Sequence, residues 1–101
     1  MNVANLQIEG LVMALAAVNR MLVAKGVASV SEIDDALHRA EAALVSDERL
    51  AEDMSPANRD AVCFPVRMLR LANEYAQGDL PGFSDLARGV GQTKQRYNDQ
   101  M

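Results

Sequence analysis

Lys25-Gly26-Val27-Ala28-Ser29-Val30-Ser31-Glu32 is the stretch that decides the fold, because it ends one helix and starts another within a few residues. Gly26 accepts the left-handed backbone geometry that closes a helix, Lys25 sits at the negative end of the helix dipole, and Val27 can fold back onto the last turn. Ser29 then reads as an N-cap with Glu32 as its reciprocal partner, and Ala28 with Ile33 forms a weak hydrophobic staple. Ser31 with Asp34 is a competing cap, two residues later. Acidic Glu32, Asp34 and Asp35 suit a first helical turn. So short a connection makes the flanking helices antiparallel neighbours.

Upstream, at 3.6 residues per turn, Ile8, Leu11, Leu15, Val18 and Leu22 fall on one line, which the pattern assigns to the core. The opposite side is apolar as well. Gly10, Ala14, Ala17 and Met21, joined by Leu6 and Met13, make a second stripe, while Glu9 and Arg20 occupy only a narrow gap. A helix apolar nearly all round must be covered on both sides. A chain of this length has few elements to do that, so the second stripe is expected to meet a partner chain. Its small residues let another helix approach closely. The competing expectation is a central helix wrapped by its own chain.

Downstream, Ile33, Leu37, Ala40 and Leu44 give the second helix one narrow apolar line and a solvated opposite face, with a break near Ser46. Ser55-Pro56 is a start signal, serine as N-cap and proline where its missing N–H costs nothing. The third segment runs from Pro56 towards Gln77 and stops at Gly78, with a core line of Val62, Val66, Leu69, Ala72 and Ala76. Pro65 cannot donate to Ala61, so a kink or two abutting helices are expected there. After the turn Gly78-Asp79-Leu80-Pro81-Gly82, Ser84 can cap a short helix interrupted by Gly89 and Gly91. The polar tail, about 92–101, is expected to be flexible or held by a partner.

Residues 1–101 therefore read as one all-α domain: a small bundle of three long helical segments, the third kinked at Pro65, plus a short C-terminal helix. Sixteen alanines and only four aromatic residues make the core from thin aliphatic side chains. One cysteine excludes an intramolecular disulfide and fits a reducing compartment. The longest unbroken apolar run, Leu11 to Val18, is short for a membrane span, and no basic-then-apolar leader precedes it, so the expected location is cytoplasmic and no membrane is expected as partner. The net charge of −4 argues against nucleic acid.

Four groups of residues could carry chemistry. Asp34, His38 and Glu41 lie at i, i+4, i+7 and form a partial metal-ligand set, although a charged helix flank is the commoner meaning of such spacing. Arg59, Arg67 and Arg70 share an arc of the third helix and could hold an anion. Cys63, between Val62 and Phe64, reads as a buried thiol rather than a nucleophile. Gly89-Val90-Gly91-Gln92-Thr93-Lys94 is not a phosphate loop, because Gly91 is not followed by lysine and no strand precedes it. No paired acid and base, activated nucleophile or cofactor motif is present, so the chain is expected to be no enzyme and to use no cofactor. The function that follows is a homodimeric interaction or accessory module, joined through Leu6, Gly10, Met13, Ala14, Ala17 and Met21, with an unidentified protein as a further partner. The alternative is a small-ligand or metal binder with its site between helices or subunits.

Overall fold

The computed structural model describes residues 3–46, 56–76 and 78–99, the side chains of residue 57 and of residues 93–99 excepted. Among these the chain is all-α, with four helices: α1 (Val3–Ala24), α2 (Val30–Ser46), α3 (Pro56–Asn73) and α4 (Phe83–Asp99).

The joint between α1 and α2 forms as its residues dictate. Gly26 adopts φ 72°, and the amides of Gly26 and Val27 donate to the carbonyls of Val23 and Leu22, each at 3.0 Å, which closes α1 with two of its orphan carbonyls satisfied. Ser29 caps α2 reciprocally: its amide donates to Glu32 Oε1 at 2.9 Å, and the Glu32 amide donates to Ser29 Oγ at 3.0 Å. Val27 remains 69% exposed, so it does not fold back.

The centre of the fold is not this hairpin. Helix α3 packs against each of the other three, most extensively α2, whereas α1 and α2 have no substantial contact of their own. The core is a thin cluster of Val12 and Ala16 from α1, Met68, Leu69 and Ala72 from α3, and Leu86 and Val90 from α4. Helix α2 contributes buried Ile33 and half-buried Leu37.

Two sequence expectations are corrected here. The line Ile8, Leu11, Leu15 and Val18, assigned to the core, is 42–63% exposed. Instead α1 docks through the side that carries Val12, Ala16 and the narrow polar gap, because Arg20 in that gap donates to the carbonyls of Tyr75 and Gly78 just beyond α3. Only Val12 and Ala16 of α1 are buried, so the described residues do not wrap this helix. The C-terminal helix is also not short. Its backbone continues through Gly89 and Gly91 to Asp99, since Leu86 and Val90 are anchored in the core and two glycines cost only about 1 kcal/mol each. Gly89 sits where a Cβ would come within 2.5 Å of a Leu71 methyl, which is how α4 lies so close to α3.

Helix α3 begins at Pro56 and runs as one helix through Pro65 to Asn73, with turns closing at residues 74–76. Its expected cap Ser55 and its expected end Gln77 lie outside the described residues. Asn73 is buried, and its Nδ2 donates to the Val30 carbonyl at 2.9 Å, tying the end of α3 to the start of α2.

Candidate functional site

The charged residues singled out on α2 and α3 meet one another. Asp34, His38 and Glu41 present one flank of α2 to Arg67 and Arg70, which stand one turn apart on α3. Arg70 grips Asp34 with both ends of its fork, Nε to Oδ1 at 3.0 Å and Nη2 to Oδ2 at 3.4 Å. Its Nη1 lies 3.6 Å from Glu41 Oε1, an ion pair beyond hydrogen-bond reach, and 3.4 Å from His38 Nδ1. Arg67 reaches Glu41 Oε2 at 3.3 Å and, on its own helix, Asp60 Oδ1 at 3.4 Å. Arg59 stays exposed and takes no part.

This ladder matches cation to anion within the chain. Burial works to lower the Arg67 pKa, but the Glu41 carboxylate and its hydrogen bond outweigh that and hold the guanidinium above its ordinary value. For Arg70 the hydrogen bond to Asp34 dominates, again upward, against a lowering by burial. Pairs that keep 21–41% of their side-chain surface in water contribute about 1 kcal/mol or less each. Their stronger effect is on register: α2 has little apolar surface to hold it, and the ladder fixes which turn of α2 faces which turn of α3. A metal at Asp34, His38 and Glu41 has to displace guanidinium, and an anion at Arg67 and Arg70 has to displace carboxylate. No group of three His, Cys, Asp or Glu among the described residues is arranged to hold a metal.

Cys63 is fully buried, and that burial pushes its thiol pKa up. A raised pKa in the folded state contributes stability that is complete below the ordinary thiol value near 8.5 and is lost as pH rises through the folded value. Alkylating reagents should therefore modify Cys63 only as fast as the protein opens, and urea should accelerate labelling in step with unfolding. Rapid labelling of the native protein at pH 8 would contradict this placement.

Between α3 and α4 lies an open groove of about 440 Å³, bordered by Leu71, Tyr75, Pro81 and Gly89. Its charged residues, Asp85 and Arg88, pair with each other at 3.7 Å along one helix face. No acid, base and nucleophile converge there.

Among the described residues, most of the exposed large hydrophobic side chains lie on α1. Leu6, Gly10, Ala14, Ala17 and Met21 are exposed on it, alongside Ile8, Leu11, Leu15 and Val18. Met13, named with the first of these stripes, turns inward and packs half-buried on the core. By length and composition α1 could also cross a membrane. The residue that sequence reasoning undervalued is Arg20; its signal was a lone cation on a helix otherwise apolar nearly all round.

Compared with known protein families, curated proteins and solved structures, the chain matches none.

Proposed function

We propose that this protein is a non-enzymatic, cytoplasmic interaction or accessory module that works as a homodimer, its copies joined through the α1 stripe of Leu6, Gly10, Ala14, Ala17 and Met21. One observation carries the reading: α1 leaves a largely apolar face in water, while Glu9, Asn19 and Arg20 lie on its half-buried side. Exposed contiguous apolar surface of this extent marks a contact surface. The small residues at its centre let a second helix approach to about 8 Å, near the lower limit for helix pairs. The matched charges between α2 and α3 leave that region as scaffold, and the overall negative charge favours a protein partner over nucleic acid.

Native mass spectrometry on protein purified without chelator tests this. An assembly of at least two chains is expected. Ala17→Glu, which places a charge in the stripe away from the protein's own core, should reduce the number of chains with helicity unchanged. A monomeric wild type overturns the reading, and an Ala17→Glu assembly identical to wild type overturns its placement.

A further inference from the structure

We infer that α2 is a charge-latched arm: it leaves α3 and melts as a unit while α1, α3 and α4 stay folded together, and ionic strength sets how often it does so.

Among the described residues, the buried core cluster is drawn from α1, α3 and α4 alone. Helix α2 adds only Leu37, half-buried at its margin. Arg20, which ties α1 to the turn beyond α3, also bonds without α2. Taking α2 away therefore leaves the cluster and that tie in place. Removing α3 would leave nothing, since each of the other helices packs on it.

The hold on α2 is long but thin. Its contact with α3 is the most extensive in the fold, and it has no substantial contact with α1 or α4 among the described residues. Yet of its 17 residues only Ile33 is buried. At 3.6 residues per turn, Ile33 and Leu37 fall beside Asp34 and Glu41, so the face turned to α3 is part apolar and part ionic. Three ion pairs cross there, Arg70 to Asp34 at 3.0 Å, Arg67 to Glu41 at 3.3 Å and Arg70 to Glu41 at 3.6 Å. One further hydrogen bond, from Asn73 Nδ2 to the Val30 carbonyl, holds the first turn.

Glu41 is the centre of the latch. Its two oxygens are divided between Arg67 and Arg70, and Oε1 is enclosed with no hydrogen bond. A carboxylate oxygen taken from water without a hydrogen bond stays there only because a cation attracts it through space. Dissolved salt weakens that attraction: the screening length falls from about 10 Å at 0.1 M to about 3 Å at 1 M. It has no comparable hold on the apolar cluster.

Detachment and melting coincide. A helix of this length is marginal by itself in water, even with its capping box, so α2 loses its backbone hydrogen bonds once it leaves α3. Amide exchange across α2 therefore reports the latch directly.

The experiment is hydrogen exchange followed by mass spectrometry on the full chain at constant neutral pH, each rate divided by that of the unfolded chain in the same salt. Amides of α2 should exchange faster than those of α3, and by about fivefold more at roughly 1 M sodium chloride than at roughly 0.05 M, with α3 and α4 unchanged. Low urea should speed α2 less steeply than α3, because a smaller surface is exposed when only the arm opens. Glu41→Gln keeps the shape and removes the charge; it should speed α2 about tenfold at low salt and remove most of the salt response. Asp34→Asn, at a side chain 41% exposed, repeats the test should Glu41→Gln fail to fold. Asp85→Asn, in the exposed pair on α4, should leave α2 at its wild-type rate. Amides of α2 that open only together with α3, at one rate and one urea dependence, overturn the inference. So does a salt response that is absent or shared by every helix, and so do charge-removing variants at Glu41 and Asp34 that both exchange as wild type.

Discussion

Leu86→Ala should lower the unfolding free energy by about 2–5 kcal/mol, the range for truncating a fully enclosed leucine. Leu86 is 0% exposed in a core with only a handful of large buried side chains, so the neighbours have little spare bulk with which to fill the space. The loss has two parts: apolar surface no longer removed from water, and a cavity that α3 and α4 close only in part. Stability of small domains is about 5–15 kcal/mol, so this substitution takes a large share of it. Urea denaturation followed by circular dichroism should show a lower midpoint with an unchanged slope. Val27→Ala, at a position 69% exposed, should stay within about 0.5 kcal/mol of wild type and serves as control. A loss below 1 kcal/mol for Leu86→Ala would mean that α4 is not held as described.

What could be read from the sequence was local chemistry. The Gly26 stop, the Ser29–Glu32 box and the proline start of α3 each depend on residues within one turn of each other, and each forms as its spacing requires. The burial of Cys63 followed from its apolar neighbours. The charges of α2 and α3 were visible as two separate sets, Asp34, His38 and Glu41 against Arg67 and Arg70, but nothing local says that the two flanks face each other. That pairing depends on α2 lying along α3, across 26 to 36 residues of chain. The direction of α1 was illegible for a different reason. Periodicity locates an apolar face only when the opposite face is polar, and α1 offers two apolar lines of equal regularity. Its narrow polar gap looked like the side for solvent.

That gap is instead what the fold uses, and Arg20→Ala tests how much it uses it. The guanidinium reaches Tyr75 and Gly78, residues 55 and 58 positions away, and donates to carbonyls in the turn just beyond α3, where the Tyr75 carbonyl also accepts from the Gly78 amide at 3.0 Å. A cation there lies near the negative end of the helix dipole, and its planar fork reaches both acceptors at once. Hydrogen bonds from a charged donor contribute about 1.5–3 kcal/mol, so Arg20→Ala should destabilise the fold by roughly 1–3 kcal/mol after allowing for its partial exposure. Arg20→Lys keeps the charge but offers a compact ammonium in place of a planar fork, and should recover less than half of the loss. Because Val12 and Ala16 are the only buried residues of α1, the loss should appear locally first: amide exchange across residues 3–24 should quicken more than across α3 or α4. Assembly should weaken with it, since the proposed contact stripe of α1 can align only while the helix is held on its own chain. An Arg20→Ala protein with wild-type stability and unchanged exchange in α1 would show that Val12 and Ala16 suffice to dock the helix, and that the orientation of its apolar arc rests on them alone.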